Sequence, residues 1–450
     1  MKKIFSRRVF LGSAAAGSAL LAKACTYGPT VVSRPVLGGP NFISPNEKLR
    51  VACIGVGGKG RGEVHAMAGE HLVAFCDPDD EQAAETYKEF PDIPRYKDFR
   101  IMLEEKCDEI DAVTISTPDH VHGVAAMMAM RMGKHVFCQK PLTRTIYEAR
   151  TLTEAARKYG VATQMGNQGH ASEHTRRIKE WIHGGCIGKV REVHFYTNRP
   201  IWPQGELSRP GERPPVPETL EWDTWLGPAQ KRPYHPCYLP FTWRGWWDYG
   251  TGALGDMGCH IMDAAFYALD LRYPTAVEAV SAPVNNESAP AWSVVTYEFP
   301  ARGDMPPVRV KWFDGGKMMP WPKDLEPERS LPDGSGQIII GDNGSIMAGT
   351  YGGSPRIIPE ARMQEVDLPD PWIPRVGTIH EDWIQACKGG EPACSNFDYS
   401  GPLTEMVLLG NLAIRTGKRI QWHGERMKCL NVPEANDLVY PDLRRGWRLI

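Results

Sequence analysis

Between residue 48 and about residue 167, short apolar runs alternate with longer stretches of helical spacing. Val51-Ala52-Cys53-Ile54, Leu72-Val73-Ala74-Phe75-Cys76 and His135-Val136-Phe137-Cys138, with 111–116 and 161–165, have the length and apolar character of strands covered on both faces. Segments 121–132 and 146–159 read as helices. Such alternation predicts an α/β domain over 48–167 built on a doubly wound parallel sheet, with ligands at the C-terminal ends of its strands. Beyond Gln168 the pattern changes: a helical stretch at 173–183 leads into Val190-Arg191-Glu192-Val193-His194-Phe195-Tyr196, which alternates like a half-buried antiparallel strand. Further strands are expected at 277–281, 292–299, 308–313 and 337–341, and a helix at 403–416. Residues 168–430 are therefore read as an α+β domain with an open, mostly antiparallel sheet. Residues 197–251, dense in Pro, Trp and Arg, are too long for a plain connection and read as an insertion near the substrate. Residues 431–450 are set apart as a C-terminal tail.

The turn after the first strand is Gly55-Val56-Gly57-Gly58-Lys59-Gly60. Gly55 permits a sharp turn, Gly57 leaves room for a pyrophosphate, Gly60 lets the following helix pack close, and that helix turns its free N–H groups toward the phosphates. Asp77 ends the second strand, where a carboxylate accepts hydrogen bonds from the adenosine ribose and repels a 2′-phosphate. Pro78-Asp79-Asp80 adds no cation, so NAD is favoured over NADP.

The start of the chain changes the picture of where this domain works. Lys2, Lys3, Arg7 and Arg8 precede an apolar or small stretch from Val9 to Leu21, too short to span a membrane and typical of an export signal over 1–27. Ser6-Arg7-Arg8-Val9-Phe10-Leu11 resembles a twin-arginine signal, which moves folded proteins and so suits one that binds its nucleotide before export to the periplasm. An ordinary secretory signal is the alternative, and Leu21-Ala22-Lys23-Ala24-Cys25 loosely resembles a lipoprotein site, which would anchor the chain to a membrane at Cys25. Residues 28–47, rich in Pro, Gly and Ser, read as a linker. With 42% apolar residues and a formal charge of −2, the chain is neither disordered nor basic enough to suggest nucleic acid. Its 11 cysteines form no Cys-x-x-Cys pair, and no metal is expected.

Three further clusters carry chemistry: Thr117-Pro118-Asp119-His120-Val121-His122, Gln139-Lys140-Pro141, and Gly255-Asp256-Met257-Gly258-Cys259-His260. Together with the glycine turn they resemble the Gfo/Idh/MocA family of NAD(P)-dependent sugar and polyol oxidoreductases over nearly all of 48–430. The resemblance implies an N-terminal Rossmann domain, a C-terminal α+β domain, and a dimer or tetramer. The family's usual Glu-Lys-Pro is here Gln139-Lys140-Pro141, so the first position brings no charge. Lys140 matches the lysine that contacts nicotinamide and the reacting hydroxyl, Asp256 and His260 match the acid and base, and His122 matches a histidine packed beneath the cofactor. In that reading His260 removes the hydroxyl proton, Asp256 orients the imidazole and Lys140 stabilises alkoxide character. The expected cofactor contacts are Gly55, Gly57, Gly58, Gly60, Arg61, Asp77, Thr117, Pro118, His122, Gln139, Lys140 and Gln168.

Rings crowd the stretch before Asp256: Trp202, Trp222, Trp225, Trp243, Trp246, Trp247 and Tyr249. Sugars stack their C–H faces on such rings, although most tryptophans are core, so one or two of the seven are expected to touch a carbohydrate substrate. Trp243, Trp246 and Trp247, with Asn167 and His170 after the last parallel strand, are the candidate substrate contacts. Three functions remain open from the residues: an exported NAD-dependent sugar or glycoside oxidoreductase, a glycosidase that oxidises transiently and eliminates, and a non-catalytic sugar sensor.

Overall fold

The computed structural model describes residues 47–205 and 208–449. The expected signal, most of the linker and Cys25 lie outside the described residues. The first domain runs β1 (Arg50–Ile54), α1 (Lys59–Met67), β2 (His71–Cys76), α2 (Asp80–Glu89), β3 (Arg95–Tyr96), α3 (Phe99–Glu105), β4 (Ala112–Ile115), α4 (Asp119–Arg131), β5 (His135–Cys138), α5 (Ile146–Tyr159) and β6 (Thr163–Met165). Its six strands are all parallel, in the order β3-β2-β1-β4-β5-β6. The continuous apolar runs are explained by two cores: Ala52 and Ile54 enter one cluster with Val113 and Val136, while Val51 and Cys53 enter a second with Phe75 and Phe137. Gly55 turns at φ +76°, and a Cβ on Gly60 would lie 1.9 Å from the Gly55 carbonyl oxygen, so α1 can approach β1 only through a glycine. A capping box between Thr145 and Glu148 starts α5, and left-handed Gly160 ends it.

The second domain follows with α6 (Glu173–His183), β7 (Val190–Thr197), α7 (Trp222–Leu226), α8 (Gly252–Ile261), α9 (Asp263–Ala268), β8 (Ala276–Ser281), β9 (Ser293–Phe299), β10 (Val308–Phe313), β11 (Ser335–Gly341), β12 (Gly344–Gly349), β13 (Arg356–Ile358), α10 (Glu360–Glu365), α11 (Ile379–Cys387), α12 (Phe397–Thr416), β14 (Ile420–His423) and β15 (Lys428–Cys429). Its sheet has the order β13-β12-β11-β7-β10-β9-β8-β14-β15, antiparallel except where β7 meets β10. Helix α12 is buried along most of its length; Arg150 of α5 joins its Glu405 through two 2.7 Å bonds and so ties the domains together.

The insertion builds its own aromatic core from Trp225, Tyr234, Tyr238, Trp246 and Tyr249. It also reaches the first domain: the Asp80 N–H donates to the Thr219 carbonyl and the Glu221 N–H to the Pro78 carbonyl. The closing residues are not a loose tail. Trp447 and Leu449 are buried, Trp447 packs 5.8 Å from the Phe99 ring, and Arg444 bonds Asp223. Among the described residues no helix is long and apolar enough to cross a membrane.

Candidate active site

A cavity of about 770 Å³ opens over the C-terminal ends of the parallel strands and continues against the second domain. Gly55, Gly57 and Gly58 line it where β1 turns into α1, and Asp77 lines it at the end of β2. The N-terminus of α1 has no side-chain cap and no acid in its first turn, so its N–H groups are open to a phosphate. Asp77 is buried, accepts from the N–H groups of Val56 at 3.0 Å and Gly57 at 3.4 Å, and is pushed by burial to a pKa of about 6. Gly57 is required for a second reason besides pyrophosphate: a Cβ there would meet the Gln82 carbonyl oxygen at 2.4 Å.

Farther along the cavity, Thr117 and Pro118 lie after β4, Gln139 and Lys140 after β5, and Gln168 after β6. The Lys140 ammonium donates to the Asp256 carboxylate at 2.9 Å and to its backbone carbonyl at 2.7 Å. Arg244 donates to the same carboxylate oxygen at 3.0 Å. Burial opposes the charge on Asp256, but these two cations outweigh it and hold the carboxyl well below the usual range. His260 lines the same cavity, its Nδ1 buried without a hydrogen-bond partner among the described residues and its ring edge-on to Tyr351. Burial, reinforced by the Lys140 charge, drives its pKa well below 6.5, so the imidazole is neutral and able to accept a proton.

Two domain models match the chain: an oxidoreductase family NAD-binding Rossmann fold over residues 49–167 and the same family's C-terminal alpha/beta domain over residues 188–306. The chain belongs to the Gfo/Idh/MocA oxidoreductase family. It is 28% identical over 238 residues to D-glucoside 3-dehydrogenase of Escherichia coli (strain K12), covering 52% of this chain and 57% of that enzyme. It is 31% identical over 205 residues to a glycosyl hydrolase family 109 protein of Saccharopolyspora erythraea, covering 41% and 44%. These matches span about half the length of the curated relatives. The WlbA dehydrogenase of Bordetella pertussis, solved with NADH and UDP-GlcNAcA, shares the fold with a TM-score of 0.58 at 18% identity, over 84% of this chain and 99% of that one.

Against the family pattern, Gln139 is held by a carboxylate from elsewhere. Its amide donates to Glu63 of α1 at 2.8 Å, and Glu63, almost wholly buried, is also bonded by His380 and paired with Lys59 at 2.6 Å. Burial pushes Glu63 up, but those partners outweigh it and keep it ionised. The residues therefore fit an NAD: an open helix terminus for the pyrophosphate, Asp77 for the ribose, and Lys140 with Gln139 at the nicotinamide end.

Several expected residues stand elsewhere. Gly60 is consumed by packing against Gly55. Arg61 points to the surface, paired with Glu89 on α2, because α1 turns that position away from the cavity. His122 is buried behind the lining, bridging the carbonyls of Pro141 at 2.8 Å and Thr117 at 2.9 Å, so it positions two cavity loops without facing the cofactor space. Asn167 and His170 are buried around Asp263, each at 3.0 Å, and do not reach the cavity. Trp246 sits in the insertion's aromatic core and Trp247 in the main core, its indole N–H on the Asn285 carbonyl; Trp243 alone of the three lines the cavity. Asp256 grips Lys140 and Arg244 rather than His260, although the two residues share a helix face.

Arg244, Asp119 and Tyr351 were not singled out from the sequence and Trp225 was named only among the seven rings, yet all four line the cavity. Asp119 stood inside a quoted motif and Arg244 beside the candidate Trp243, and their charge was the available signal. Trp225 and Tyr351 arrive through the insertion and through the loop after β12, which no local spacing connects to the glycine turn. Asp119 accepts from the Thr251 hydroxyl at 2.7 Å, and burial lifts its pKa to about 7.

Proposed function

We propose that the protein oxidises or reduces a hydroxyl-bearing carbon of a sugar or glycoside with NAD. The observation that carries this reading is the convergence of the Lys140 ammonium and a neutral His260 imidazole on one cavity that also contains the glycine cradle. NAD held by the glycine turn and Asp77, with Lys140 at its nicotinamide end, would supply hydride exchange at the substrate carbon. His260 takes the proton of the hydroxyl, and Lys140 stabilises negative charge on its oxygen. Asp256, itself held by Arg244, fixes the ammonium, leaving His260 free to face the substrate. Trp243 offers a ring for stacking beside this centre. Asp77 supports NAD over NADP, because the nearby cation, Lys97, is occupied by Asp80 at 2.8 Å and the Thr219 carbonyl at 2.9 Å.

The match to a glycosyl hydrolase family 109 protein favours a second reading, in which oxidation is transient and the glycosidic substituent is eliminated before the hydride returns. Incubation with glycosides separates the two. Steady NADH formation supports dehydrogenation, aglycone release without net NADH supports cleavage, and saturable sugar binding with neither product sinks both. Export to the periplasm, by the twin-arginine string at Ser6 to Leu11, completes the proposal. Cell fractionation with Arg7 and Arg8 changed to Lys tests it, and unchanged extracytoplasmic protein refutes that route.

A further inference from the structure

A second cavity, about 290 Å³, is lined by Trp247, Asp248, Gly250 and Thr251 of the segment that leads into α8. Two guanidinium groups line it, Arg144 before α5 and Arg415 near the end of α12. Arg415 makes no hydrogen bond or ion pair among the described residues; its guanidinium carbon stands 5.3 Å from the centre of the Trp247 ring. Arg144 donates from Nη1 to the Trp247 carbonyl at 3.1 Å, while its Nε is buried without a partner among the described residues. Burial and the Arg144 charge together lower the pKa of Arg415 to about 10.

Asp248, Asp437 and Asp442 also line this cavity, and the charges of Asp248 and Glu148 act on Arg415 and Arg144, but among the described residues none of these acids hydrogen-bonds either guanidinium. Asp248 is bonded by Arg232. Glu148 is buried in the capping box, accepting from the Thr145 N–H at 2.9 Å and hydroxyl at 2.8 Å. Asp437 and Asp442 are exposed, and Asp442 accepts from Gln230 at 3.0 Å. The two half-buried like charges repel, and guanidinium donors left without an acceptor are costly. Planar guanidinium forks with unused donors are matched by the oxygens of phosphate, sulfate or carboxylate.

We infer that this cavity is a binding site for a small oxyanion, gripped between Arg144 and Arg415. It adjoins the active site through one residue. Thr251 lines the second cavity, gives its hydroxyl to Asp119 of the first, and directly precedes α8, which carries Asp256 and His260. An anion that fixes Trp247 to Thr251 thus also fixes the start of the catalytic helix.

The test is a thermal titration of the NAD-saturated protein, in which the glycine cradle is already filled, with sodium phosphate, sulfate and acetate at ionic strength held constant with NaCl. A saturable rise in Tm with at least one of them is expected, weakened about tenfold or more in Arg415→Gln and in Arg144→Gln. The three salts distinguish tetrahedral oxyanions from carboxylates. Because the guanidiniums repel, Arg415→Gln should equal or exceed the native Tm without oxyanion and fall below it at saturation. Should the glutamine variants fail to fold, Arg415→Lys, which keeps charge but loses the fork, is expected to weaken the response by itself. No saturable rise above the NaCl control, or an equal response in the variants, overturns the site. So does an Arg415→Gln that is less stable by the same margin with and without oxyanion, since that reports only packing on Trp247.

Discussion

Lys140, Asp256 and His260 share one electrostatic arrangement in which each side chain's state depends on the others. Asp256 stays ionised because two cations hold it, Lys140 is thereby fixed, and its charge helps keep His260 neutral. Replacing Lys140 by Met or His260 by Asn should lower kcat by about 10²- to 10⁴-fold, with NAD binding, read by fluorescence titration, retained. Unchanged turnover in either variant would remove that residue from the chemistry. Asp119 gives a stability prediction with a definite sign. Its folded pKa, about 7, lies above the ordinary 3.8, so between about pH 4 and 7 the unfolded chain releases the proton while the folded one keeps it. The residue therefore costs stability progressively as pH rises through that window, and none below it. Asp119→Asn should gain on the native protein by about 2–4 kcal/mol between pH 4 and 7.5, measured by denaturant unfolding; parallel stability curves would contradict this. Residue identities were legible where a motif ties chemistry to a strand end, as at Asp77 and Lys140. They were illegible where a pair forms between distant segments: the resemblance had Asp256 orienting the His260 imidazole, but Arg244 and Lys140 reach the carboxylate instead.

At the level of elements, the apolar runs named the parallel strands because strands covered on both faces must be apolar throughout, and β5, α5 and α6 fall where periodicity placed them. Strands β7 to β11 were equally readable, while β12 and β14 were not read, and the order was hidden throughout, since β7 pairs with β10 and β11 across more than a hundred residues. Short β3, β13 and β15 had too few residues to carry a pattern. The turn between β1 and α1 is the element on which the cofactor site most depends. Gly60→Ala would set a methyl 1.9 Å from the Gly55 oxygen, a backbone contact that no side chain can relieve. It should cost about 1–3 kcal/mol and push α1 off the strand end, weakening NAD binding about tenfold or more. Native NAD affinity in that variant, by calorimetry, would show that the cradle tolerates a displaced helix.

Across the whole molecule, the insertion and the closing residues act on the nucleotide cleft together. The backbone bonds of residues 219 and 221 to the loop after β2 bring Thr224 and Trp225 to the cavity beside Asp77 and Pro78, the end where a dinucleotide places its adenosine. Trp447, under the stacked Arg100 and against Phe99, and Arg444, bonded to Asp223, hold that wall from behind, and Phe99 itself lines the cavity. Nothing in the composition of residues 431–450 announced this, because the partners are on helices α3 and α7, more than two hundred residues earlier. A wall of this kind slows departure of the cofactor more than its arrival, since it adds contacts that must break before release. Trp447→Ala should therefore raise the NAD dissociation rate about tenfold while changing kcat little, because Trp447 lies outside the cavity. Stopped-flow displacement of NADH fluorescence measures that rate directly. If release is as fast in the native protein as in the variant, the clamp has no kinetic role; if kcat falls in proportion to affinity, the residue acts on the catalytic centre rather than on the adenosine end.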